Sequence, residues 1–448
     1  MPGGVIMFGG TRRRALKATT GLAAVATSIA LWAPPALAAT PVNLGGTTHV
    51  LSVDAAGTTL GGRAPSVSRD GRYTAYERAA LVNGDWGIVL HDAVTGTDTV
   101  VSRVFSNVVV SADGRFVVYA TYSANDPTQL LVYRYNIATG NSTAMPAPAT
   151  GGAVTYSITA LTVSANGRSI AFLTGWQDPA DQGILRQDVF VTDATARTTT
   201  SLGVGLLTTD VDHQVQQPAI SGDGTKVAFS TSASLTARDT NTHFDIYVHN
   251  MATGANELAS RTVAGSTGNK QSIAPWISGD GRYVAFSSRS TNLAPGITDA
   301  TVTQAYLFDA QTNKTTLMSK TAAGVAGNAF AQALGISSTG RYVVFESPAT
   351  DFGFPANPFG FVSWQIYRYD RVNDTIGLVS HAGGRTFPSN QGSGALDAVI
   401  SADGAHVAYS STSRDLDRTA GITDGFGTLD LFAWSNQAST GVPGSTRG

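Results

Sequence analysis

One nine-residue phrase occurs seven times in this chain: Ser, any residue, Asp or Asn, Gly, three further residues, Ala or Val, then an aromatic. The copies begin at Ser68, Ser111, Ser164, Ser221, Ser278, Ser337 and Ser401. Each contains its glycine (Gly71, Gly114, Gly167, Gly224, Gly281, Gly340, Gly404) and ends on Tyr76, Tyr119, Phe172, Phe229, Phe286, Phe345 or Tyr409. Only Thr339 departs from the Asp/Asn position. Asp-Gly between two apolar runs is the favoured two-residue hairpin connection, because both residues accept positive φ. Every copy is therefore expected to be a β-hairpin. Its second strand, such as Tyr283-Val284-Ala285-Phe286, is apolar on both faces and must be packed on both sides.

A third strand follows each hairpin, as in Ile88–Leu90, Val189–Val191, Ile246–Val248 and Ile366-Tyr367. A turn such as Ala138-Thr139-Gly140 leads to a fourth. Successive copies lie 43, 53, 57, 57, 59 and 64 residues apart, which suits four-stranded blades and is far too long for β-helix coils. No segment has sustained helical periodicity. The expected fold is all-β: a seven-bladed β-propeller of four-stranded antiparallel blades. The phrase Thr48–Ser52 matches the fourth strands Asn256–Ser260 and Thr315–Ser319 yet precedes the first hairpin. The last third strand, Leu431–Trp434, has only a Gly/Ser/Thr-rich tail behind it. The N-terminal strand is thus expected to complete the seventh blade and remove an open edge.

The first residues read as an address. Arg12-Arg13-Arg14 and Lys17 precede an apolar stretch from Ala18 to Trp32, then Pro34-Pro35 and the small-residue site Ala36-Leu37-Ala38. That order predicts a secretory signal peptide over 1–38, too short in its apolar part to span a membrane. Arg12-Arg13 with Leu16-Lys17 resembles a twin-arginine signal, although Ala15 stands where Phe is usual. The propeller is expected over 39–440 and a flexible tail over 441–448. A secreted or envelope location follows, with no membrane span after cleavage. The 448 residues include no cysteine, which excludes disulfides, thiolate nucleophiles and Cys-ligated zinc. Net charge is −2 and no basic cluster lies beyond Lys17, so the footprint for nucleic acid is missing. A monomer is expected.

The repeat is similar to the PD40 repeat of TolB-like, WD40-like propellers, whose core reads S-P-D-G-x-x-I-A-F; Ser278-Gly279-Asp280-Gly281 and Val284-Ala285-Phe286 stand for it here. The likeness covers nearly the whole chain after the leader. One departure is consistent. The proline is replaced throughout, by Arg69, Ala112, Ala165, Gly222, Gly279, Ser338 and Ala402. TolB itself carries six such blades behind a separate domain, so the chain more closely resembles the stand-alone secreted PD40 proteins of actinobacteria. Members of this wider group include scaffolds, peptidase-associated propellers and polysaccharide lyases, so the resemblance fixes fold and not function.

Chemistry is sparse. No Gly-x-Ser-x-Gly elbow, His-Glu-x-x-His or phosphate loop is present. Asp239, Asn241 and Asp245 place oxygen ligands in one loop, which suits either calcium or an Asx-turn. PD40 relatives often carry such a D-x-N-x-x-x-D phrase before the third strand. Propeller lyases gather histidines over the channel, and His213, His243 and His381 fall in loops of one expected face. Phe352, Phe354, Phe359, Phe361 and Trp364 crowd the sixth blade's longest loop, either as a partner surface or as that loop's own packing. Two functions stay open: a non-catalytic scaffold for a protein or carbohydrate partner, and a carbohydrate-active enzyme at the channel mouth.

Overall fold

The computed structural model describes residues 40–436 apart from 43, 45, 54–57, 79–85, 104–106, 124–128, 149–154, 178–184, 205–214, 298, 356–362, 382–394, 414–415 and 417–428. The leader and the C-terminal tail lie outside the described residues. The described elements are all strands, and they form seven antiparallel four-stranded blades. The blades are one, Arg63–Ser102; two, Val108–Ala144; three, Thr155–Ser201; four, Val215–Leu258; five, Ser272–Leu317; six, Gln332–Leu378; and seven, Ala395–Ser435. Strands in each are called a to d in chain order. Each strand a neighbours strand a of the next blade, and that of blade seven neighbours that of blade one. The ring is closed, and strands a line its centre.

The repeated phrase builds the interfaces between blades. The Ala or Val of strand b is fully buried, from Ala75 to Ala408. The aromatic beside it points to the opposite face. In blades two to seven it stacks on an aromatic directly across on strand c, as Phe172 does on Phe190 and Phe345 on Tyr367, with ring centroids 5.4–6.2 Å apart. One apolar cluster fills each interface. Ala285 and Leu307 of blade five, for instance, pack with Val343, Phe345 and Tyr367 of blade six. The small residue of one blade leaves room for the rings of the next, the alternation that close packing demands.

The turn between strands a and b differs from the expected two-residue form. Only its glycine is left-handed, as at Gly71 (φ 72°), and Gly71 donates its N–H to the Ser68 carbonyl. This is a β-turn followed by one left-handed residue, a longer connection. The serine explains itself here. Ser68 Oγ accepts the Tyr73 N–H and donates to Asp70, whose carboxylate also accepts the Arg72 N–H. The Ser-to-Asp or Ser-to-Asn bond recurs at 2.5–2.9 Å in every blade but the sixth, where Thr339 stands.

Neighbouring turns are tied together. Main-chain bonds of 2.8–3.0 Å run from Arg69 to Ala112, Asp113 to Ala165, Ala165 to Gly222, Asp223 to Gly279, Gly279 to Ser338 and Ser338 to Ala402, N–H to carbonyl. Four of these donors, Arg69, Ala165, Gly279 and Ser338, occupy the position where the related repeat has proline. Proline has no N–H to give, so its consistent replacement has a direct structural use in those blades. Six of the seven junctions carry such a bond, and seven chains spaced ~4.8 Å apart enclose a ring roughly 11 Å across between backbones. That end of the channel is therefore narrow.

The N-terminal strand Thr47–Val50 pairs antiparallel with Asp430–Ser435 and is the outer strand of blade seven. A fifth strand was not foreseen. Thr40–Val42 adds to the outside of blade six, parallel to Thr375–Leu378. The chain's start thus fastens two blades.

Candidate functional site

Strand a carries a second irregularity, away from its turn. In blades one, three, four, five and seven its register slips and one residue turns left-handed: Ala64, Ala160, Gln217, Ala274 and Asp397, with φ of 43–55°. A non-glycine residue in this region costs of order 1 kcal/mol or more. Bulges of this kind re-aim a side chain. The equivalent positions in blades two and six are Asn107 and Ala333. Solvent reaches Asn107, Gln217 and Asp397 on these innermost strands, which makes them channel-lining polar groups. Asp397 is the acidic member of the set.

Asp397 lies among charges from both adjoining blades. It accepts a hydrogen bond from the Ala64 backbone N–H of blade one. Burial by surrounding protein raises its pKa, and Arg63 partly offsets that. A carboxylate that is open to solvent yet walled by protein is what a channel lining produces. Glu346, at the end of strand b in blade six, is about nine-tenths buried, and its Oε2 has no hydrogen-bond partner. Burial first, then the Asp397 charge, push its pKa up to about 7. Glu77 takes the same strand position in blade one. Its pKa is raised by burial and held back by Arg63, whose Nε donates to Glu77 Oε2 at 2.9 Å. The Arg63 guanidinium lies 4.5 Å from the Trp86 ring centre.

The strand b position shared by Glu77 and Glu346 holds Ser287 in blade five. There Ser287 Oγ accepts the N–H of Ala333, the bulge-position residue of the next blade. The repeat geometry therefore aims Glu346 toward Asp397. In blade seven Ser410 takes this position, fully buried with an unpartnered Oγ. Glu346, Asp397, Glu77 and Arg63 were not singled out from sequence. The signal was present: aligning strands a and b on the repeat serine shows acid replacing small residues at these places.

The residues singled out from sequence have other surroundings. Asp239 and Asp245 are buried, and Asn241 lies between them. Asp239 accepts from the Asn241 N–H and the Tyr247 hydroxyl. Asp245 accepts from the Ser260 hydroxyl and the Asn241 amide, which also donates to the Gly268 carbonyl. Asn241 Oδ1 in turn accepts the His243 N–H, closing an Asx-turn. All four carboxylate oxygens accept a hydrogen bond and the Asn241 amide turns its nitrogen inward, the network of a loop shaped by an Asx-turn. The Asp245 position holds Gln304 in blade five and Gln365 in blade six, each bonded to the equivalent Ser319 or Ser380. That is a repeated structural bond. Burial and the nearby Asp239 push the Asp245 carboxyl up to about 7.

Phe352 is a core residue and not a surface one: it is 2% exposed, with its edge on Phe345 and Tyr367. Phe354 leans on Tyr367, and Trp364 is half-buried against Phe330. Phe359 and Phe361 lie outside the described residues, as does His213. His381 is buried beside Pro41 and Leu378 at a cavity of about 180 Å³, while His243 is exposed. Among the described residues no three His, Asp or Glu side chains gather to hold a metal ion. No described helix is long and apolar enough to cross a membrane.

No protein-family profile and no curated protein sequence matches the chain. Solved structures do. An oligogalacturonate lyase from Vibrio parahaemolyticus aligns with a TM-score of 0.53 at 10% identity, covering 85% of this chain and 92% of that one. The β-propeller domain of the Trilobed protease from Pyrococcus furiosus aligns with a TM-score of 0.50 at 11% identity, over 84% and 96%. TolB from Acinetobacter baumannii aligns with a TM-score of 0.40 at 12% identity, over 81% and 79%. At such identities the likeness carries fold and no activity: the chain is a seven-bladed β-propeller.

Proposed function

We propose that the protein is an exported, non-catalytic binding propeller that holds a protein or carbohydrate partner outside the cell or at its envelope. One observation carries this reading: Asn107, Gln217 and Asp397, polar residues at equivalent positions of strand a, open to solvent along the channel, whose far end is narrowed by the belt of main-chain bonds between turns. A ligand enters from the wide face, where the inter-blade loops and the loops between strands b and c emerge. Half-exposed Trp86, Phe330 and Trp364 add contact area on that side.

The experiment is binding of cell-surface polysaccharide and extracellular protein fractions to the immobilised protein, with fragment size followed by mass spectrometry. Saturable binding that Asn107→Trp abolishes, with the ligand unchanged in mass, is the expected outcome. Binding that is indifferent to Asn107→Trp would overturn the wide-face reading.

A carbohydrate-active enzyme is the second reading, favoured by one specific pair. Glu346, with its pKa near 7, and the neighbouring Asp397 have the chemistry of a general acid beside a carboxylate. New reducing ends that disappear with Glu346→Gln would establish it.

A further inference from the structure

We propose that Glu346 and Asp397 form a subsite for an organic cation, the ammonium or guanidinium group of a basic polypeptide, in the channel wall between blades six and seven. This rests on the wide-face binding reading and names what the face holds. Glu346 Oε2 and Ser410 Oγ are buried acceptors without partners, in matching strand positions of adjoining blades. Buried polar atoms are nearly always satisfied, so the Glu346 orphan calls for a missing donor. Leu396 pairs with Ser410 in the strand register, which sets the next residue, Asp397, close to Ser410, and the Asp397 charge acts on Glu346. Asp397 is open to the channel, so a donor can reach it.

Charge points the same way. Glu77 and Asp397 share the cation Arg63, whose Nε is already held by Glu77, while the charged neighbour of Glu346 is Asp397. The site has unspent negative charge in a poorly hydrated place, where attraction for a cation is strongest. A bare metal ion needs several ligands close around it, and no such group of His, Asp or Glu exists among the described residues. An ammonium group donates three hydrogen bonds outward and accepts a wider cage of carboxylate and hydroxyl oxygens. Trp86, Phe330 and Trp364 on the same face suit the apolar stems of lysine or arginine in a longer chain.

The test is calorimetric titration of the purified protein with a lysine-rich decapeptide, its fully acetylated counterpart, 1,5-diaminopentane and calcium chloride. The decapeptide is expected to bind and the acetylated form to bind at least tenfold more weakly. Glu346→Gln and Asp397→Asn should each weaken decapeptide binding at least tenfold, with unfolding temperatures showing that both variants fold. At pH 6.5, binding should release protons in wild type and not in Glu346→Gln. Asp397 is the charged group that acts on Glu346 in this titration, and Asp397 is itself coupled to Arg63 and Glu77. Diaminopentane binding as tightly as the decapeptide would overturn the polypeptide assignment. Calcium binding that Glu346→Gln removes, without decapeptide binding, would overturn the organic cation. Decapeptide binding lost in Asn107→Trp but unchanged in both carboxylate variants would overturn the subsite and leave the wide-face reading intact.

Discussion

The hydroxyl of Ser52 accepts the backbone N–H of Leu431 at 3.0 Å, across 379 positions of sequence. Leu51 donates its own N–H to the Leu431 carbonyl at 2.7 Å. These bonds fasten the first strand of the ring to its last blade. Trp434, fully buried behind them, packs with Val50, Tyr409 and Phe432. Deleting residues 40–54 should therefore destabilise the whole propeller, while removing 441–448 should leave urea unfolding unchanged. Trp434→Ala should cost about 3–5 kcal/mol. Equal tolerance of both truncations would contradict closure by this strand.

Proline placed in the turns should discriminate between blades. In Ala165→Pro the donor to Gly222 is lost, which costs about 1–3 kcal/mol by leaving a carbonyl without its partner. In blade two the bond to the next turn comes from Asp113 and not from Ala112. Ala112→Pro should therefore be tolerated, since proline suits this turn position. Chemical denaturation of the two variants gives the comparison. Gly222→Val should lower the denaturation midpoint for a different reason, because a Cβ there would sit 3.0 Å from the Gly279 Cα, tighter than ordinary contact.

Stability should peak in mildly acid solution. The Glu346 carboxyl titrates near 4.5 when free and about 7 in the fold, so the folded state holds its proton more tightly. Its contribution is complete below pH 4.5 and is lost as pH rises through 7, by about 3 kcal/mol. Asp245, raised to about 7, acts in the same direction. Asp193 and Asp309 act oppositely. The guanidinium groups of Arg168 and Arg282 hold their carboxyls at about 2, so their contribution is present above 3.8 and fades as pH falls through 2. Thermal unfolding from pH 2 to 8 should show a maximum near pH 4–5. Glu346→Gln should flatten its alkaline side.

The Asp239–Asp245 loop should ignore calcium. Chelator and added calcium are both expected to leave the unfolding temperature unchanged. Asp245→Gln, which copies the residue found in blades five and six, should stay within about 1 kcal/mol of wild type at pH 7 because the Ser260 bond survives. A calcium-dependent rise in unfolding temperature that Asp245→Gln abolishes would reinstate a metal at this loop.

Sequence alone determined the blade count, the strand b faces and the seventh blade's missing strand, because these are written locally and repeated. Ser278, Gly281 and Phe286 interact within a few residues or with the next copy of themselves, so periodicity is enough to read them. The left-handed bulges, the belt of bonds between turns and the added strand Thr40–Val42 leave no periodic mark of that kind. They were decided by tertiary structure. So was the Phe352 position, where a residue in an aromatic-rich loop turned inward onto Tyr367. The candidate site belongs to the same class. Glu346, Asp397 and Glu77 come from three different copies of the repeat, at positions the repeat does not specify. Only ring closure, which sets blade seven between blades six and one, brings their charges within reach of one another.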